Sequence, residues 1–400
     1  MRLSQNSTIV LVMLLCISVS NMSSGGILWE KDLIFDEDTN SSPLASCINT
    51  NTNRVFVITK VGPKGFFLHK GGDSVLWEIG VDGNIVRQTL LKDAGGNAMK
   101  TDALAVGPGC AMVADRSGNL LTIGVLGERK KGKSLSFVST ANTTEPSVTA
   151  YKRAEDFSIK ELISLKDETF ASVGNRSGDG LYLRIDKQGS IVQENLFDLG
   201  NNEIFSGVAQ VKSENLSLVV VGVSVRISIK DPNENSAKNF ILMYDSNDKI
   251  TSEGYFAGEI PQLLFPKVCC LNNGNIIVVY KKKSEDSKTR LWARCYTQEL
   301  NLLWEKEIFC IDKSFFSFDV TSCDPKGFLV ALITPIEGLE TCFFDDEGQK
   351  TGYTQYKGMV GTPGFNIMRM NGQTIAVFEE GTAGNIKECT IKAKVIALDW

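Results

Sequence analysis

Few residues in this 400-residue chain are suited to chemistry, and their spacing is restrictive. His69 is the only histidine, which argues against His-based metal centres, haem ligation and serine–histidine–aspartate catalysis. It lies in Lys60 to Asp73 (KVGPKGFFLHKGGD), beside Phe66 and Phe67. That stretch reads as a loop between two strands, pinned to the surface by its aromatic pair or placed to touch a ligand. Of the ten cysteines, Cys16 falls in an N-terminal leader, and the odd remainder cannot pair completely. No CxxC or CxxCH spacing occurs among them, so zinc-ribbon and c-type haem chemistry have no framework. They read as small apolar strand residues, with one or two disulfides in the C-terminal third. Adjacent Cys269 and Cys270 suggest a vicinal disulfide. Neighbours on a regular strand point to opposite faces, however, and the flanking pattern is that of a regular strand.

The charged groups are equally spare. Lys281, Lys282 and Lys283, with Lys288 and Arg290, make the most basic stretch, but Glu285 and Asp286 interrupt it. It reads as a solvated loop or as an electrostatic contact for an acidic partner. Asp345-Asp346-Glu347-Gly348 has the charge of a calcium loop without its alternating ligands, so a hairpin turn is expected there. Glycoside cleavage needs two convergent carboxylates. The acidic residues are spread too evenly over turns to nominate such a pair, and no catalytic, cofactor or metal residue is assigned.

The framework that must position these groups begins with an export signal. Arg2 precedes a short apolar core, Ile9 to Ile17, and then Ser18-Val19-Ser20 as a small-x-small cleavage site. This predicts a secretory signal peptide over residues 1–20 and one mature domain over residues 21–400, secreted or periplasmic. Leu15 before Cys16 argues against a lipoprotein anchor, and no later apolar run is long enough for a membrane span. A net charge of -5 argues against nucleic acid as a partner, because phosphate binding needs a basic face.

Internal repetition dominates the remaining sequence. In Lys160 to Phe197, the segments KELISL, TFASVG, LYLRID and SIVQENLF form four short β-type runs separated by polar turns. The third run and its turn recur in VLWEIGVDGNI, FILMYDSNDKI, Leu291 to Leu302 and LETCFFDDEGQK, with a looser copy at Leu120 to Leu126 and a last one at Lys394 to Asp399. The preceding hairpin recurs at Ala45 to Val61, Ala103 to Ala114, Val208 to Val223, Val268 to Tyr280, Val320 to Ile333 and Ile367 to Glu379. The units are roughly 45–60 residues long, the length of a four-stranded propeller blade. The C-terminal run KAKVIALDW has no partner after it, while ILWEKDLI opens the mature chain. The same two pieces are joined in Leu291 to Ile308 (LWARCYTQELNLLWEKEI). The expected fold is therefore all-β: a seven-bladed β-propeller whose N- and C-terminal strands share one blade, a closure that also protects sheet edges. Trp29 and Trp304 share one repeat position, and Trp77 and Trp292 another, which marks them as packing residues.

These repeats resemble the quinoprotein-type and outer-membrane-assembly-type propeller repeat. Gly174 to Gly189 (GNRSGDGLYLRIDKQG), Ile396-Ala397-Leu398-Asp399 and the pairs Leu28-Trp29 and Leu303-Trp304 carry the likeness. The resemblance implies that the first strand of each unit lies at the axis and the fourth at the rim. It implies no cofactor. By the same analogy, loops entering the first and third strands emerge on one face.

Those loops vary most, with long insertions at 60–73, 140–158 and 225–239, and binding residues concentrate on loops held by rigid scaffolds. The expected function is a non-catalytic binding or scaffold subunit that presents this face to a protein partner, within a larger redox or envelope complex. The contact residues nominated are Phe66, Phe67, His69, Arg226, Lys230, Lys281, Lys282 and Lys283. The alternative is an enzyme with an axial site, either a quinone-dependent dehydrogenase or a carbohydrate-active hydrolase or lyase with a quinone or glycan ligand.

Overall fold

A computed structural model describes residues 23–24, 26–63, 72–92, 96–98, 100–101, 110–114, 120–124, 134–139, 147–152, 157–211, 217–227, 235–257, 265–283, 289–311, 317–323, 325–334, 338–358, 360–381 and 391–399. Residues 1–20, where a signal peptide is expected, lie outside the described residues, as do Phe66, Phe67, His69 and Lys230.

The sequence folds into antiparallel meanders because short β-branched runs alternate with tight turns. The described strands fall into seven sheets. The first comprises Thr39–Asn49, Arg54–Pro63, Gly72–Gly80 and Ile85–Leu90, with Lys100–Thr101 added beside Gly72–Gly80. The second comprises Cys110–Ala114, Leu120–Gly124, Ser134–Ser139 and Ser147–Lys152. The third comprises Phe157–Ser164, Phe170–Arg176, Asp179–Ile185 and Ile191–Phe197. The fourth comprises Asn202–Gln210, Leu218–Arg226, Ser236–Tyr244 and Ile250–Ala257. The fifth comprises Lys267–Cys270, Ile276–Lys283, Thr289–Tyr296 and Leu302–Ile311. The sixth comprises Ser317–Ser322, Phe328–Thr334, Gly338–Phe344 and Lys350–Tyr356, with Ser23–Ser24 parallel to its outer strand. The closing sheet comprises Val360–Met370, Gln373–Gly381, Ile391–Leu398 and the N-terminal Ile27–Leu33.

Each sheet's first strand touches the first strands on either side, and the circle closes from Val360–Met370 back to Thr39–Asn49. The core lies between neighbouring sheets, not within one mass. The second strand of the fourth sheet illustrates this: Leu218 and Val220 join a cluster with Val173 and Tyr182 of the third sheet, while Val219 and Val221 join one with Ile276 and Val278 of the fifth. Successive side chains point to opposite faces of a strand, and both faces of the sheet are covered, so LVVVGVSV is apolar with little alternation.

The expected fold class needs correction. Uniform four-stranded blades do not describe the molecule, since two sheets carry a fifth strand. The second unit is also out of phase with expectation. Cys110–Ala114 is the inner strand of its sheet, and Leu120–Gly124 is its second strand, not its third. The segment 140–158, expected to be the longest loop, contains the strand Ser147–Lys152 and the start of Phe157–Ser164. The run at Lys281 to Lys283 ends a strand and is not a loop. Among the described residues, no disulfide joins Cys47, Cys269, Cys270, Cys295, Cys310, Cys323 or Cys342. Cys269 and Cys270 occupy a regular strand and enter two different cores, so their sulfurs face away from one another. Among the described residues, no helix is long and apolar enough to cross a membrane.

Candidate functional site: the axial girdle and the connection face

Three charged residues recur at one structural position on the inner strands. Each first hairpin of the third, fifth and sixth sheets turns at a residue whose N–H bonds across the turn: Leu165 to Thr169, Leu271 to Asn275, and Cys323 to Gly327. Four residues before these stand Glu161, Lys267 and Asp319. In the third sheet a β-bulge falls between Ile159 and Glu161, with Lys160 the extra residue. A bulge locally re-aims side chains. All four residues are half-buried, yet their surroundings desolvate them strongly. That combination fits groups facing a narrow axial passage and not open solvent.

Electrostatics ties the group together. Burial pushes the Glu161 carboxyl up to about 7; Asp319 adds to the rise, while Lys267 and the Val208 N–H oppose it. Burial likewise raises Asp319, against Lys267 and the N–H groups of Ile367 and Val320. Burial works against the charge of Lys267, but Glu161 and Asp319 outweigh it and hold its ammonium above the usual range. Lys160 is pushed down, first by burial and then by Lys267, and its Nζ lies 5.3 Å from the centre of the Phe265 ring.

The same groups stitch neighbouring inner strands into a girdle. Glu161 Oε2 accepts the Val208 N–H at 3.2 Å, linking the third sheet to the fourth. Ser206 Oγ donates to the Pro266 carbonyl at 2.7 Å, linking the fourth to the fifth. Asp319 Oδ2 accepts the Ile367 N–H at 3.1 Å, linking the sixth to the closing sheet. Asn366 Nδ2 donates to the Ser46 carbonyl at 3.1 Å, linking that sheet to the first. Sequence reasoning missed this convergence of Glu161 and Asp319 on Lys267. The available signal was a charged residue at the same offset before each first turn.

Of the nominated contact residues, Arg226 and Lys281 to Lys283 end second strands, and Phe66, Phe67, His69 and Lys230 lie outside the described residues. Arg226 is exposed at the end of Leu218–Arg226. Lys281 and Lys282 are half-buried at the end of Ile276–Lys283. Because every sheet is a meander of the same order, the ends of the second strands lie on one face. Lys282 is not free in solvent: its Nζ lies 4.3 Å from the centre of the Trp292 ring and 3.9 Å from Glu305. A groove of about 520 Å³ beside it is lined by Trp292, Glu305, Glu307, Phe344 and Lys350.

The repeat tryptophans pack between sheets. Trp29 Nε1 donates to the Val81 carbonyl at 2.8 Å, and Trp304 Nε1 to the Asp346 carbonyl at 3.2 Å. Each indole thus covers the outer turn of the next sheet around the ring. A Cβ on Gly83 or Gly348 would lie within 2.7 or 2.8 Å of the respective ring. At the corresponding place in the third sheet, Asn195 Nδ2 donates to the Asp248 carbonyl at 2.9 Å.

No protein-family profile matches the chain, and no curated protein does. The resemblance to quinoprotein-type and outer-membrane-assembly-type repeats therefore carries no further than architecture. Solved structures do match. A protein of unknown function from Dyadobacter fermentans superposes with a TM-score of 0.52 and 10% identity, covering 94% of this chain and 100% of the other. Drosophila plexin A, in a complex with Semaphorin 1b, gives 0.50 at 8% identity, covering 94% and 88%. The WD40 domain of Toxoplasma gondii coronin gives 0.50 at 10% identity, covering 95% and 89%. The chain has a β-propeller fold.

Proposed function

We propose that this protein is an exported, non-catalytic binding or scaffold propeller that presents its second-to-third-strand connections to a protein partner. The carrying observation is the commitment of the axial acids. Glu161 and Asp319 each accept a backbone N–H from the next sheet, so these carboxylates serve ring closure. The connection face instead carries Arg226 at an exposed strand end, with Lys281 and Lys282 at the end of another and the Lys282 ammonium over the Trp292 ring. Among the solved structures that share the fold is that of plexin A in complex with Semaphorin 1b, a complex between two proteins. A fold hosts many functions, so the site and not the likeness bears the weight.

The test is affinity capture from the native source with the wild-type chain and with Arg226→Glu and Lys281→Glu. A stoichiometric partner lost from the variants, with their melting unchanged, supports the reading. Equal retention by all three, or turnover on a panel of alcohols, sugars or glycans, overturns it. Export is checked separately by sequencing the mature N-terminus, which is expected to begin at Asn21.

A further inference from the structure

From the junction of the third and fourth sheets we infer a calcium site built by Asp179, Asp198 and Glu203. Asp179 opens the strand Asp179–Ile185, Asp198 follows Ile191–Phe197, and Glu203 lies in Asn202–Gln210. Each offers one carboxylate oxygen, and the three oxygens lie within 4.8 Å of one another. The backbone holds them together, because the Glu203 N–H donates to the Gly178 carbonyl at 2.6 Å. Asp198 Oδ1 accepts the Gly200 N–H at 2.6 Å.

Proximity of acids alone would mean little. The second observation is Glu203 itself. Its side chain is completely buried, one oxygen accepts the Ser224 hydroxyl at 2.8 Å, and Oε2 has no partner among the described residues. A buried carboxylate oxygen without a donor is costly, and two further carboxylates beside it add repulsion. A divalent cation removes both penalties at once.

The donor set selects the metal. All three ligands are carboxylate oxygens, with neither imidazole nor thiolate, which suits a hard cation. They come from two strands of neighbouring sheets and the linker between them, a mixture that the flexible coordination of Ca²⁺ accepts more readily than the strict octahedron of Mg²⁺. Bound there, calcium would staple the third sheet to the fourth on the connection face. The inference is independent of the partner proposed above.

The experiment uses the full chain stripped with EDTA, titrated calorimetrically with CaCl2 and melted with and without it. The expected result is one site with a dissociation constant on the order of 10⁻⁴–10⁻³ M and a melting point higher by about 2 °C or more at saturation. Asp198 is exposed, so Asp198→Asn should fold normally and bind at least about tenfold more weakly. Glu203→Gln should melt above the stripped wild type and ignore calcium. No heat and no shift at 10 mM CaCl2 (about ten times the weakest expected constant) would overturn the site. So would a shift unchanged in Asp198→Asn, or an equal response to Mg²⁺.

Discussion

The backbone N–H of Asp399 donates to the carbonyl of Gly26 at 2.9 Å, although the two residues lie at opposite ends of the chain. Elsewhere the same bond closes an ordinary outer turn: Asp186 to Ser190, Asp245 to Lys249, and Asp345 to Gln349. The termini thus form a hairpin with its turn cut, and Trp29 pairs with Ala397 and Lys31 with Val395 across it.

Joining the ends should therefore be tolerated. A permutant linking Trp400 to Gly26 through two residues would restore the three-residue spacing between Asp186 and Ser190. Opened instead within the Asp245 to Lys249 turn, it is expected to stay monomeric and to melt close to wild type. Deleting Lys392 to Trp400 removes an interior strand of the closing sheet and should yield aggregated protein through the exposed edges. Size-exclusion chromatography separates the two outcomes.

Glu161 should make stability fall as pH rises. Its carboxyl is raised from 4.5 to about 7 in the folded protein, so the native state holds this proton more tightly than the unfolded chain does. The penalty is absent below pH 4.5, grows as pH passes from there to 7, and is complete above it. About 2.5 units corresponds to about 3 kcal/mol. Glu161→Gln, compared with wild type by urea unfolding at pH 5 and pH 8, should remove most of that difference.

The Trp304–Gly348 contact predicts two losses that do not add. Trp304→Ala uncovers the turn and should cost about 2 kcal/mol. Gly348 has φ of 74° and the indole 2.8 Å from its would-be Cβ, so Gly348→Ala should cost about 1–2 kcal/mol. In the double variant the steric part of the second loss disappears, and thermal melts of all four proteins would measure the coupling.

Lys394 anchors the closing sheet to its neighbour. Its Nζ lies 2.9 Å from Glu380, 3.3 Å from Asp32 and 3.0 Å from the Tyr356 hydroxyl. Burial opposes its charge, but hydrogen bonds with Glu380 and Tyr356 and the charge of Asp32 hold the ammonium well above the usual lysine range. Lys394→Met leaves those acceptors facing an apolar group and should cost about 2 kcal/mol. Circular dichroism during chemical denaturation would check it.

Much of the architecture was legible because it is local and repeated. The Asp186, Asp245 and Asp345 turns are each written in one short segment, and the LWEK pairs mark equivalent outer strands. The phase of the second sheet was not legible. Ala103 to Ala114 has the composition of a hairpin, yet the described half of it, Cys110–Ala114, pairs forward with Leu120–Gly124. Composition cannot say which neighbour a strand will choose. Lys281 to Lys283 misled for a related reason: three lysines suggest a solvated loop, but a strand end can direct one stem onto Trp292 while the backbone remains in the ladder.

Alone, the chain's order of residues determined the β character, the turn positions and the complementarity of its two ends, since each depends on side chains a few residues apart or on a repeated pattern. Only the closed ring decided that Glu161, Lys267 and Asp319 would share one electrostatic environment, and that Asp179, Asp198 and Glu203 would meet beside a buried oxygen with no donor. Charge coupling and desolvation act through space at a few ångströms. Linear separation says nothing of them until the sheets are wrapped around an axis.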